Sequence, residues 1–135
     1  MSPTKALVFL ATALLALSGA DATLETICKA ASDKDEHVSY QFCETILQTS
    51  PSVDAWGLAK AAAGVGIKNS DQAIKFIEGL LTKPGTDAKG KAALGQCHGL
   101  YNSIKFAFAI AYRRINERDY VAGKEEAAKA ISLAH

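Results

Sequence analysis

KAALGQCHGLYNSIKFAFAIAYRRI, residues Lys91–Ile115, is the stretch that decides the fold. Leu94, Cys97, Tyr101, Ile104, Phe108, Ala111 and Ile115 recur at intervals of 3, 4, 3, 4, 3 and 4. That is a heptad seam, the period of an α-helix whose apolar side meets another helix. A lone coiled coil would flank such a seam with charge. Here Phe106, Ala107, Ala109 and Ile110 flank it, which predicts a wider buried stripe and a helix touching two neighbours, as in a bundle.

Helical spacing continues outward from this segment. Leu24 to Ala31 is a short candidate helix, followed by the charged run from Ser32 to Glu36. Val38, Phe42, Ile46 and Leu47 then mark one stripe, and Pro51 ends that helix, because the residue before a proline avoids the helical region. Asp54 is placed to cap the next helix. Ala55, Leu58, Ala62 and Val65 carry its stripe, and Ala73, Ile74, Ile77, Leu80 and Leu81 carry another. Between them Gly64 and Gly66 loosen the helix and Asn69-Ser70-Asp71 resembles a cap, so the reading is one long helix with a weak middle or two in series. Lys83-Pro84-Gly85 is a turn. Asp119 to His135 forms an Ala-rich last helix with Tyr120, Ala127, Ile131 and Ala134 on one side. No alternating strand pattern and no Asn-Gly or Asp-Gly hairpin signal occurs. The predicted fold is all-α, an up-and-down bundle with four main helices.

The N-terminus, MSPTKALVFLATALLALSGA, has a single Lys5, a twelve-residue apolar run from Ala6 to Leu17, and small residues after it. This is the layout of a secretory signal, cut after Ala20 or Ala22. The run is shorter than the about 20 apolar residues of a membrane-spanning helix. Residues 1–20 are thus read as signal and 21–135 as one helical domain. The whole chain has 135 residues, which accommodates one domain.

Removing the signal takes away only Lys5 among charged residues and leaves 14 basic against 14 acidic side chains. Net charge therefore offers no attraction to pectin, nucleic acid or membranes. The 49% hydrophobic content excludes disorder as the main state. Neither a C-x-x-C nor an H-E-x-x-H pattern occurs, so no metal is expected, and no glycine-rich phosphate loop indicates a nucleotide cofactor. Cys97 and His98 are adjacent, but neighbouring helix positions point about 100° apart, which separates a thiol from an imidazole. Asp33, Asp35, Glu36, Glu125 and Glu126 read as solvated faces. Arg113-Arg114 reads as a solvated helix end in preference to a grip on a partner carboxylate. No enzyme is indicated, and binding is the default.

Secretion places the cysteines in an oxidising compartment. A bridge between Cys28 and Cys43 would tie the short first helix to the second and contribute about 3 kcal/mol by the chain-entropy model. Cys97 is then the odd cysteine, unpaired or available to link two chains.

At this point the residues resemble a family. Leu24-Glu25-Thr26-Ile27-Cys28, Tyr40-Gln41-Phe42-Cys43, the segment from Ala93 to Tyr101 with its Cys97-x-x-x-Tyr101 step, and Asp119-Tyr120-Val121-Ala122 occur in the order seen in plant invertase and pectin methylesterase inhibitors. The resemblance implies a four-helix bundle preceded by a short N-terminal helical hairpin. It also implies four cysteines, paired first with second and third with fourth. The fourth would lie about 40 residues after Cys97, near position 137, past His135. The chain is therefore read as a C-terminally truncated member with its last helix incomplete. The implied activity is docking on the active-site cleft of a carbohydrate-active enzyme, with invertase slightly favoured over pectin methylesterase. The Pro-Lys-Phe tripeptide that invertase inhibitors can carry is absent; Asp119-Tyr120-Val121 stands in that region. Ser39, Asp119, Tyr120 and Lys124 are the candidate partner-binding residues at positions expected to be exposed. The implied location is the apoplast or cell wall, or the vacuole. Two rival readings are a secreted carrier of a small apolar ligand, its pocket lined by Tyr101, Ile104 and Phe108, and a truncated member that inhibits nothing.

Overall fold

The computed structural model describes residues 23–36, 38–48 and 54–134. The signal segment, Pro51, His37 and His135 lie outside the described residues. Those described form five helices and no strand: α1 (Leu24–Lys34), α2 (Tyr40–Gln48), α3 (Ala55–Leu81), α4 (Ala88–Asn116) and α5 (Tyr120–Ala134). The all-α class and the up-and-down order are as the sequence predicts. α3, α4 and α5 run antiparallel in succession, and α1 and α2 form a hairpin beside α3.

The hairpin is held by the expected bridge. Cys28 and Cys43 are joined, with Cα atoms 5.6 Å apart. Both are buried, together with Ile27, Ala31, Val38 and Leu47. α1 starts at a capping box in which the Thr23 hydroxyl accepts from the Thr26 backbone N–H at 3.2 Å. The α2 stripe differs from its expectation. Leu47 is buried but Phe42 is exposed, because the bridge at Cys43 turns the Cys43–Leu47 line inward and Phe42 lies about 100° off it.

α3 is one continuous helix of 27 residues, capped as expected by Asp54, whose carboxylate accepts from the Gly57 N–H at 2.8 Å. Its supposed weak middle is a place of close approach. A Cβ on Gly66 would lie 2.7 Å from the Phe108 ring. Ser70, fully buried, donates to the Gly66 carbonyl at 2.8 Å, one turn back in the same helix, instead of starting a new one. Turn residues Lys83 to Gly85 follow, with Gly85 at φ 92°, and Asp87 caps α4 by accepting from the Gly90 N–H at 2.7 Å.

The α4 seam is buried at only one end. Ile104, Phe108, Ala111 and Ile115 are buried, Leu94 and Tyr101 are half-buried, and Cys97 is exposed. The stripe widens on the Ala107 side alone. Phe106 is 67% exposed and Ala109 is exposed; Phe106 lies two residues from both Ile104 and Phe108, about 200° round the helix, and so points away. On α5 the fully buried line is Ala127 and Ala130, joined by Gly123, while Tyr120, Ile131 and Ala134 sit at the margin. Small residues at spacing 4 and 3 let two backbones approach closely. A Cβ on Gly123 would meet Ile115 at 2.8 Å.

Candidate functional site

The partner-binding candidates fall on two elements. The Ser39 hydroxyl accepts from the Phe42 N–H at 3.3 Å, and its carbonyl accepts from the Cys43 N–H at 3.0 Å, so it caps α2. Asp119 does the same for α5, accepting from the Ala122 N–H at 3.1 Å. Tyr120 is half-buried against the core instead of exposed, and Lys124 is exposed one turn on. Asp119, Tyr120 and Lys124 therefore lie together at the start of α5, within about one turn, whereas Ser39 belongs to the start of α2.

Cys97 is free and exposed. His98 points to another flank, where its Nε2 lies 3.0 Å from Glu78 Oε1 of α3, and Asn102 Nδ2 donates to its backbone carbonyl at 3.0 Å. The thiol and imidazole thus diverge as helix geometry requires. Arg114 pairs with Glu117 at 3.4 Å within its own helix end. No group of three or more His, Cys, Asp or Glu among the described residues is arranged to hold a metal ion. No helix among them is long and apolar enough to cross a membrane. Phe108, assigned to a carrier pocket, fills the space above Gly66 by direct packing.

The most organised surface is one that the sequence did not single out. Along one flank of the α3–α4 seam, cross-helix contacts follow one another in register. Trp56 donates its indole N–H to the Ile115 carbonyl at 2.8 Å. The Lys60 ammonium lies 4.3 Å from the centre of the Trp56 ring and 5.5 Å from that of Tyr112. The Arg118 guanidinium lies 4.6 Å from the Trp56 ring. Cations at such distances are held by the ring's quadrupole. One step along, Gly64 leaves room for the Tyr112 ring, 3.9 Å from where its Cβ would be. Asp71 then takes Lys105 of α4 at 2.7 Å and Lys75 of α3 at 2.9 Å. The hydrogen bonds from Lys105 and then Lys75 hold the Asp71 carboxyl down at about 2, well below the usual carboxylate range. The His98–Glu78 contact closes the series. A Lys four residues after the single Trp was the only sequence signal for this cluster; Arg118 and Tyr112 reach it through the α3–α4 packing alone.

Comparison with known proteins gives a consistent picture. A family model described as plant invertase/pectin methylesterase inhibitor matches residues 22–134. Pectinesterase inhibitor 8 of Oryza sativa subsp. japonica is 43% identical over 119 residues, which cover 86% of this chain and 64% of that protein. Pectinesterase inhibitor 12 of the same plant is 40% identical, over 87% of this chain and 58% of that protein. Cell wall / vacuolar inhibitor of fructosidase 2 of Arabidopsis thaliana is 31% identical, over 84% of this chain and 59% of that protein. The chain thus spans only 58–64% of the length of these relatives. No solved structure matches it.

Proposed function

The chain belongs to the plant invertase/pectin methylesterase inhibitor family, and from that premise we propose that it is a secreted protein inhibitor that acts by docking on a cell-wall carbohydrate-active enzyme. The observation that carries the reading is the family match over residues 22–134. The relatives are named as inhibitors, in keeping with the reading that the chain is not itself an enzyme. The two pectinesterase inhibitors, at 43% and 40% identity, stand above the fructosidase inhibitor at 31%. Pectinesterase is therefore the first target, the reverse of the order favoured from the sequence alone, and invertase the second.

Docking by this chain would be a matter of rigid helical surface. Its side chains need only occlude a cleft, and the disulfide-tied hairpin and the packed α3–α4 pair supply rigidity that reduces the ordering cost of binding. Ser39, Asp119, Tyr120 and Lys124 remain the first residues to vary. Secretion rests on the signal-like N-terminus and on the cell-wall or vacuolar place named for one relative. The test is a titration of the purified chain against a plant pectin methylesterase and a plant invertase, following acid release and hexose release. The expected result is saturable loss of pectin methylesterase activity. Full activity of both enzymes in excess chain, with no complex on size exclusion, would sink the proposal.

A further inference from the structure

The balance of charge over the whole chain conceals an uneven distribution. Lys60, Gly64, Asp71, Lys75 and Glu78 follow one another at helical spacings of 4, 7, 4 and 3 along the flank of α3 that faces Arg118, Tyr112, Lys105 and His98. Lys68, exposed, lies four residues after Gly64 and three before Asp71, on the same line. The flank therefore presents Lys60, Lys68, Lys75, Lys105 and Arg118. Its only carboxylates along α3 are Asp71 and Glu78. His98, beside Glu78, adds positive charge when protonated.

Asp71 is shared by two lysines, so it neutralises only one of them. Lys60 and Arg118 have aromatic rings as their partners, and no carboxylate among the described residues pairs with them. A cation resting on a ring is already oriented but keeps its N–H donors for a ligand. From Lys60 to Lys75 the line runs for about 22 Å at about 1.5 Å per residue. Cations spaced along a line of that length, not gathered in a cluster, suit an extended anion better than a compact one. Tyr112, exposed at one end of the line, adds apolar ring surface suited to the C–H faces of sugar rings.

We propose that this flank of the α3–α4 seam binds a linear polyuronate, the de-esterified form of pectin, with successive sugar carboxylates lying along Arg118, Lys60, Lys68, Lys105 and Lys75. The contact requires the free acid, since a methyl ester carries no charge for the lysines. It would hold the chain on stretches of wall polymer that a pectinesterase has already acted on. The proposal does not depend on which enzyme the chain inhibits, and its test contains no enzyme.

The test is binding of the full chain to polygalacturonate and to fully methyl-esterified pectin, at low ionic strength and at about 0.15 M salt. The expected result is saturable binding to polygalacturonate that weakens with salt, and none to the ester. The double variant Lys60→Ala/Arg118→Ala should lose at least about fivefold in affinity, the scale of one or two exposed charge contacts. Lys29→Ala, which removes a lysine paired to Asp33 on α1, should bind like the parent. Should the double variant lose helicity, Lys68→Gln replaces it, since that side chain is exposed. Absence of binding to polygalacturonate, equal binding to the ester, or undiminished binding by the charge variants overturns the proposal. Capture of an acidic protein without any polysaccharide binding would overturn it too, and would reassign the flank to a protein partner.

Discussion

Gly66 and Gly79 both lie within α3, yet their surroundings demand opposite outcomes from the same substitution. A Cβ on Gly66 would sit 2.7 Å from three atoms of the fully buried Phe108 ring, whereas one on Gly79 would meet nothing within 4 Å. Gly79→Ala should stabilise by about 0.5–1 kcal/mol through helix propensity. Gly66→Ala gains the same propensity but overpacks a core that cannot yield, and should destabilise by about 1–2 kcal/mol net. Urea midpoints of the two variants check this; a stabilised Gly66→Ala would refute the packing account. Asp71 gives a pH prediction at the same scale. Its carboxyl, at about 2, lies below its ordinary value of 3.8 because of Lys105 and then Lys75. A depressed carboxylate contributes stability above its unfolded value and loses it as pH falls through the folded one. The stability gap between the parent and Asp71→Asn should therefore be constant from pH 5 to 7 and close between about pH 4 and 2. A gap that persisted at pH 2 would show that the pairing is not electrostatic. Cys97, exposed and free, should take one equivalent of a maleimide in the native state without denaturant, and any dimer it forms should vanish on reduction. A native chain that leaves the label unreacted would contradict that exposure.

At the scale of elements, α1 and α2 are too short to be stable alone, since isolated helices below about 12–15 residues are marginal in water. α1 has 11 residues and α2 has 9. Their hairpin depends on the Cys28–Cys43 bridge and on burying Ile27, Ala31 and Leu47. Cys28→Ser/Cys43→Ser should cost about 3 kcal/mol and lose helix in the hairpin before α3–α5 melt. Coincident melting of hairpin and bundle would show that they form one cooperative unit. The bridge, the Asp54 cap and the turn at Lys83 to Gly85 were legible because each is a local rule carried by a particular residue type. The inward faces of α2 and α5 were less so. Cys43 and Leu47, not Phe42, face inward once the bridge sets the rotation of α2. Gly123, Ala127 and Ala130 line α5 because helix contact rewards closeness as well as apolar size.

Among the described residues most of the core lies at one end, with Ser70, Ile74 and Ile77 continuing it along α3. Leu58, Ala62, Phe108, Ile115 and Ala127 are buried there with the hairpin. Toward the α3–α4 turn, Phe76 is 69% exposed, Leu100 is exposed and Cys97 is bare. α5, at 15 residues, is about half as long as the 29-residue α4 against which it lies. Regions with few buried apolar contacts open most easily. Amide exchange should therefore be faster over residues 88–100 than over 104–115, and uniform protection along α4 would contradict this.

The amino-acid sequence by itself determined the helical class, the order of the elements, the hairpin bridge and the family, because periodicity, caps and cysteine spacing act within one segment or between neighbours in the chain. Only the tertiary structure decided which part of the heptad seam is buried, and which glycines are places of close approach. It also decided that Lys60 and Arg118 meet on Trp56. Those outcomes depend on where a second helix lies and how it is rotated, and no single helix carries that information in its own period.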